Sequence, residues 1–455
     1  MMMRVSIDAL ADRLSGAGEV VVDPEILVGY MQDQAAPGLL PAEQPALLVR
    51  PGTTEEVQIA VRAAAEMNIP IVPRGAGSGL SGGANAIEGC IVLSTDRMGR
   101  VVELDPDSLA AAVQPGLLNA QLKNVASEAG LMYAPDPASF EFSTIGGNVA
   151  TNAGGLCCVK YGVTRDSVSA LEVVLADGTA IRIGGRTRKN VSGYDLVSLF
   201  CGSEGTLGII TEIGVRLMPK PGVAMTLAAS FPDLASAGRA IVGIVHETEP
   251  LLLEVMDRNT LEAVEQMQPM DLEPTTAALV FAQTDRGPKE LDAMVAISEK
   301  AGAEFVATTD EEAEGRMLMA ARRLAYPALE RRGRTLLDDV AVPIATIPTF
   351  LNRVAEIGLS KDLMIGTFGH AGEGNMHPTI VYPADDPDAT ARARTAFAEI
   401  VELAVSLGGT ITGEHGVGVL KRDFFIQQAG DGRSVHTAIK RALDPHCIMN
   451  PGKAI

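Results

Sequence analysis

The chain has 455 residues, 47% of them hydrophobic and 21% charged, a soluble globular composition too long for one ordinary core. Its net charge of −20 argues against a nucleic-acid partner, which would need a basic face, and no run approaches the ~18 apolar residues of a membrane span. Five cysteines without a CxxC pair read as reduced intracellular thiols, not a disulfide framework or a zinc knuckle.

The first 40 residues form an N-terminal segment with early acidic residues and no apolar core, so they do not read as a signal peptide. A cytoplasmic location is expected, with contact at the membrane periphery left open. Residues 45–75 read as strand, helix, strand. Thr53 is the expected N-cap, with Glu56 at capping-box spacing, and the helix runs to about Asn68. Short strands are predicted at 89–95, 100–105, 170–181 and 207–219, with a helix over 117–130. At "MPKPGVA" (218–224) two prolines close a strand and the texture changes, which places a domain boundary near 220. Residues 221–455 repeat strand–helix units, the pattern of an antiparallel sheet covered by helices. Within them 317–329 reads as a helix stopped at Pro327, and the tail "DPHCIMNPGK" as irregular chain.

Three glycine-rich stretches punctuate the first domain. "PRGAGSGLSGG" (73–83) contains a literal GxGxxG at Gly77, Gly79 and Gly82. A dinucleotide fingerprint should open a helix, yet "ANAIEGCIVLS" follows, without helical period. What survives is the ability of bare backbone N–H groups to converge on an anion such as a pyrophosphate. With "STIGGNVATNAGG" (143–155) and "GSEGTLGIITE" (202–212), the stretches describe a backbone-lined slot for a long, flat, phosphorylated cofactor.

In the second domain, "GHAGEGNMHP" (369–378) places two of the six histidines, His370 and His377, on either side of a glycine turn. A hairpin there would bring both imidazoles toward one ion. "GGTITGEHGVG" (408–418) offers Glu414 and His415 as a third donor and its neighbour. The residues alone leave a divalent-metal site and a structural role equally open. His246, His436 and His446 read as structural or surface residues.

"PRGAGSGL", "GGNVATNAGG", "KYG" (160–162), "GYDL" (193–196) and "GSEGTLGI" resemble the FAD domain of the vanillyl-alcohol oxidase/p-cresol methylhydroxylase flavoproteins. The second half is similar to their FAD-linked oxidase branch, which includes the D-type component of glycolate oxidase, D-lactate dehydrogenase and D-2-hydroxyglutarate dehydrogenase. The resemblance covers roughly residues 40–455. It implies an α+β fold: a two-part FAD-binding domain of vanillyl-alcohol oxidase type (41–220) and a cap domain with an antiparallel sheet covered by helices (221–455), whose C-terminal tail returns to the flavin. The implied FAD contacts are Pro73, Arg74, Gly75, Ala76, Gly77, Ser78 and Gly79 in the first loop, then Pro135. Ser143, Thr144, Gly146, Gly147, Asn148, Asn152 and Gly154 belong to the second loop, followed by Tyr161. Glu204, Gly205, Gly208 and Ile209 form the third, with Asn450 near the C-terminus. Some relatives attach flavin through a histidine where this chain has Ser78, so non-covalent FAD is expected.

The resemblance also implies His370, His377 and Glu414 as ligands of a divalent metal, with Zn, Mn and Fe all suited to the set. Relatives often carry Asp where this chain has Glu373, a position outside the ligand set. Arg322 matches the arginine that grips a substrate carboxylate, and Tyr326, one helical turn on, shares its face. His415 would be the general base, and Asn375 a further polar contact to substrate. A lysine that some relatives use for longer diacids is replaced near Leu337, which favours a small substrate over 2-hydroxyglutarate.

The expected reaction is metal-assisted oxidation of a small 2-hydroxy acid, glycolate or D-lactate, to the 2-oxo acid. It proceeds by proton abstraction and hydride transfer to flavin N5. Electrons would leave to a quinone, a cytochrome or a partner subunit, in a homo- or hetero-oligomer. Two alternatives stand beside this: a sugar-alcohol or aldonolactone oxidase of the same fold, which needs no metal, and a non-catalytic flavin electron-relay subunit.

Overall fold

The computed structural model describes residues 7–36, 38–269 and 276–455. The chain divides into two compact units. One comprises the chain up to Gly154 together with Gly162–Lys220 and Glu414–Ile455; the other comprises Gly155–Tyr161 and Pro221–Gly413.

In the first unit, the helix Thr54–Met67 starts where its cap chemistry says it should. Thr53 is extended and its side chain accepts from Glu56 N at 3.2 Å. Glu56 reaches back past the expected partner to Gly52 N, at 2.6 Å, so the reciprocal bond of a capping box forms one residue early. Asn68 ends the helix at a left-handed φ of 50°. The helix buries Val57, Ala60, Val61 and Ala64 in a core with Leu47, Val49, Ile71, Ile91 and Leu93. Those last residues belong to a four-stranded sheet ordered Glu19–Val21, Leu47–Arg50, Ile91–Ser94, Ile71–Arg74. Its two parallel pairings, both to Ile91–Ser94, explain why the strands are apolar on both faces. A second, five-stranded antiparallel sheet runs Val101–Asp105, Ala110–Val113, Ile209–Arg216, Val168–Val174, Ala180–Gly184. The irregular tail is anchored: Ile71 N donates to Ile448 O at 2.7 Å and Asn450 N to Ile71 O at 2.8 Å.

The second unit is one antiparallel sheet. Its order is Phe305–Thr309, Met225–Phe231, Ala278–Thr284, Leu252–Asp257, Met364–His370, Asn375–Tyr382, Arg334–Leu337. Val340–Ala341 adds a short pairing to Asn375–Tyr382. Helices, among them Leu234–Glu247, Arg258–Met267 and Pro387–Ser406, supply buried apolar faces. The mixed architecture bears out the α+β expectation. One detail differs: Ala320–Glu330 runs through Pro327 rather than stopping there. The proline forfeits one N–H bond, while continuing the helix past it buries Ala328 and Leu329. No described helix is long and apolar enough to cross a membrane, and all five cysteines are free thiols.

Asp257 caps Arg258–Met267, its Oδ1 accepting from Thr260 N at 2.9 Å and Thr260 Oγ1 at 2.7 Å. Burial pushes its carboxyl up to about 6 against those hydrogen bonds. A carboxyl whose folded pKa is raised binds its proton more tightly in the fold, so its contribution is fully present below pH ~4 and is lost as pH rises through about 6. Denaturant titrations of wild type and Asp257→Asn from pH 3.5 to 7.5 will therefore diverge. The variant, which keeps the capping acceptor, gains relative stability of about 3 kcal/mol by neutral pH.

Candidate active site

The loop that leaves Ile71–Arg74 does not enter a helix; residues 75–90 are turns and extended chain. The three glycine stretches meet in the first unit. A Cβ on Gly75 would run into Thr144 Oγ1, and one on Gly205, at φ +70°, into Pro73 Cγ. Only glycine leaves room for these two side chains so close to the loop backbone. Thr144 caps the short helix Ile145–Thr151 by accepting from Gly147 N at 3.2 Å, and Asn152 ends it at φ 54°. Pro135 O accepts from Asn119 Nδ2 at 3.2 Å.

Several polar atoms in and beside these loops are buried without a protein partner: Arg74 Nη1, Ser143 Oγ, Asn148 Nδ2 and Asn450 Oδ1. Unsatisfied donors and acceptors gathered in one set of loops suit a large polar ligand, so the residues fit FAD. Arg74 is otherwise held by Gln32 O at 3.0 Å, and burial lowers its pKa. Asn450 Nδ2 donates to Gly83 O at 3.0 Å and Glu204 O at 2.8 Å, tying the tail to two loops. Lys453 Nζ donates to Gly82 O and Asn85 O, at 3.1 and 2.6 Å, and burial pushes its pKa down to about 8. Burial likewise raises the Glu204 carboxyl to about 7.

The second unit forms the hairpin that the glycine turn promised. Met364–His370 pairs with Asn375–Tyr382 in a register that sets His370 opposite Asn375 and Phe368 opposite His377. All four side chains share one face, because the side-chain period is two. The two imidazoles are therefore diagonal neighbours, with ring centroids 5.2 Å apart and nearly perpendicular, and both are buried. Phe368 lies 5.6 Å from the His377 ring and also carries the Arg322 guanidinium, whose Cζ is 4.7 Å from its centroid.

Glu254, on Leu252–Asp257, is fully buried and bridges two of these groups. One oxygen lies 2.6 Å from His370 Nδ1 and the other accepts from Arg322 Nε at 2.6 Å. Asp339 is a further buried carboxylate. Its Oδ1 is 3.9 Å from His377 Nδ1, while Oδ2 accepts from Thr412 Oγ1 at 2.7 Å and Gly413 N at 3.0 Å. His377 and Asp339 belong to a group of donor side chains close enough together to hold a divalent ion; His370, expected as a ligand, is not in that group and pairs with Glu254 instead. Asn375 Oδ1 is buried beside them without a hydrogen-bond partner.

Tyr326 directs its hydroxyl to Thr335 Oγ1 at 3.1 Å. Tyr161 lies in the 155–161 segment of the second unit, beneath Lys160. Glu414 and His415 follow Gly413 directly and open the C-terminal segment of the first unit, His415 Nε2 being 3.8 Å from Glu414 Oε1. Glu254 and Asp339 were not among the residues expected from sequence. The signal for Glu254 was there, a lone acid inside the apolar run "LLLEVM"; for Asp339 it was the acid pair in "LLDDVAV".

The fold and its loops define a flavoprotein oxidoreductase. Residues 45–184 match the FAD binding domain family and residues 220–454 the FAD linked oxidases, C-terminal domain. Glycolate oxidase subunit GlcD of Bacillus subtilis is 42% identical over 417 residues, covering 90% of this chain and 88% of that protein. D-lactate dehydrogenase of Archaeoglobus fulgidus is 35% identical, covering 94% and 95%. Among solved structures, p-cresol methylhydroxylase with substrate bound superposes with a TM-score of 0.80 at 18% identity, covering 100% of this chain and 97% of that one. A 4-ethylphenol oxidase from Gulosibacter chungangensis gives 0.78 at 20%, covering 100% and 98%. The chain belongs to the FAD-linked oxidase family, of vanillyl-alcohol oxidase/p-cresol methylhydroxylase fold.

Removing the bridging carboxylate leaves Arg322 and His370 buried without their common partner. Glu254→Ala is expected to cost about 3–5 kcal/mol in chemical denaturation, and Glu254→Gln, which keeps one acceptor, clearly less. Equal losses in the two variants would show that the carboxylate charge is not what holds the pair.

Proposed function

We propose that the protein oxidises a small 2-hydroxy acid, glycolate or D-lactate, to the corresponding 2-oxo acid. The observation that carries this reading is the Arg322–Glu254–His370 bridge. One buried carboxylate fixes a guanidinium, aimed for a carboxylate ligand, beside an imidazole pair. The names of the relatives, a glycolate oxidase subunit and a D-lactate dehydrogenase, support the same substrate class.

In this reading Arg322, with Nε committed to Glu254, offers its outer nitrogens to the substrate carboxylate. Phe368 beneath the guanidinium keeps the fork from rotating. His415 takes the hydroxyl proton as general base. Glu254 acts through Arg322 and His370, orienting the His370 ring through its Nδ1. His370, His377 and Glu414 hold a divalent ion, with Asp339 a further oxygen donor; such an ion lowers the hydroxyl pKa when bound. Bound FAD supplies the hydride acceptor, and Ser78 in the first loop leaves it non-covalent. A quinone, a cytochrome or a partner subunit then takes the electrons, at a cytoplasmic or membrane-peripheral location. A sugar-alcohol or aldonolactone oxidase would have no use for the buried imidazole–carboxylate set, and an electron relay no use for Arg322.

The test is an anaerobic visible spectrum of metal-replete protein titrated with glycolate, D-lactate, L-lactate or D-2-hydroxyglutarate, before and after EDTA. Flavin bleaching by glycolate or D-lactate, abolished by chelator, is expected; flavin unreduced by every acid would overturn the assignment. His415→Ala should lower kcat on the order of 10²–10⁴-fold. Arg322→Lys should act chiefly on KM, roughly tenfold or more, because a point charge replaces a fork. Acid precipitation should release all the flavin into the supernatant, as non-covalent binding requires.

A further inference from the structure

The loop "GSEGTLGI" contains an acid, Glu204, in a backbone conformation that L-residues avoid, φ +51°. Its side chain is buried, and both oxygens are used: one accepts from Val417 N at 2.7 Å, the other from Gly418 N at 2.8 Å. These two amides follow Glu414 and His415 by only a few residues. Gly416 and Gly418 have left-handed φ of +82° and +52°, so their stretch of backbone curls into a concave nest of N–H donors. Glu204 supplies the two acceptor oxygens that fill that nest.

The same turn is gripped elsewhere within the first unit. Ser81 Oγ donates to His415 O at 3.1 Å, and Ser81 O accepts from Val419 N and Leu420 N at 2.8 and 3.0 Å. A Cβ on Gly416 would press on the Glu204 carboxyl, and one on Gly418 would collide with Ser81 O. Gly416 and Gly418 are thus explained by close approach to Glu204 and Ser81. The backbone of Glu204 is fixed in turn, its N–H on Ala150 O at 2.8 Å and its C=O on Asn450 Nδ2 at 2.8 Å.

A role for Glu204 as a direct flavin ligand suits this chemistry poorly. Both oxygens already hold donors, and a carboxylate has the wrong sign for a pyrophosphate. We infer that Glu204 is a positioning residue: it fixes the turn carrying Glu414 and His415 to the loops assigned to FAD, and so sets where the general base stands. The inference rests on the reading of His415 given above. A carboxylate is required because two adjacent N–H groups converge on it; an amide would turn its own donor toward one of them.

The test compares wild type, Glu204→Gln and Gly416→Ala, the last disturbing the same contact from the opposite side should Glu204→Gln fold poorly. Three quantities are read: flavin content, steady-state kinetics per bound flavin, and amide hydrogen exchange of the peptide spanning 412–421. Expected are flavin content within about twofold of wild type, kcat per flavin lower by about 10–100-fold with KM within about threefold, and exchange in 412–421 faster by roughly tenfold or more, while 47–72 is unchanged. A variant that loses flavin but keeps kcat per flavin would overturn the inference in favour of a cofactor ligand. Unchanged exchange in 412–421 would overturn it regardless of activity. If no hydroxy acid reduces wild-type flavin, the substrate assignment fails, while the exchange readout still decides whether Glu204 holds the turn.

Discussion

A carboxylate removed from water must be matched, and much of the second unit is arranged around matching one. Glu254 sits in a central strand of an antiparallel sheet with no solvent exposure. Its two oxygens are each 2.6 Å from a nitrogen, of His370 and of Arg322. Burying such a charge alone would cost several kcal/mol, so the imidazole and the guanidinium are as necessary to the carboxylate as it is to them. The consequence is a pre-set array. Arg322 cannot swing away, His370 has one nitrogen committed, and the register of a single hairpin carries that order to Phe368, His377 and Asn375.

The first unit solves a different problem, close approach of backbone. Gly75 stands where a side chain would strike Thr144, and Gly205 where one would strike Pro73. The loops are then locked by long polar side chains from the tail, Asn450 and Lys453, which donate to backbone carbonyls. Their hydrogen bonds replace regular secondary structure in a region that has almost none, and leave a few inward polar atoms for a ligand to satisfy. Glu204 follows the same logic: a side chain serving as acceptor for amides that no strand or helix uses.

Much of this was legible in the residues. Capping chemistry placed the helix at Thr54, failing only in which amide Glu56 would choose. The missing helical period after Gly82 was enough to reject a dinucleotide fingerprint, and residues 75–90 contain no helix. The glycine turn between His370 and His377 fixed a hairpin, since nothing else brings two strand-forming runs together over four residues. Pro327 misled because the rule about prolines weighs one lost hydrogen bond, whereas the helix weighs that bond against a buried apolar face.

The sequence by itself determined what is local and periodic. That includes strand and helix alternation, the glycine loops that need bare backbone, the imidazole pair across one turn, and membership of a flavoprotein fold carried by ordered motifs. Only the tertiary structure decided which charges meet. Glu254 is 116 positions from His370 and 68 from Arg322, and Asp339 is 74 from Gly413. Glu204 is 213 positions from Val417. No periodicity links residues so distant along the chain. Their pairing follows from sheet order and from the rule that a buried polar group must find a partner, and that partner becomes visible only once the chain has been folded back on itself.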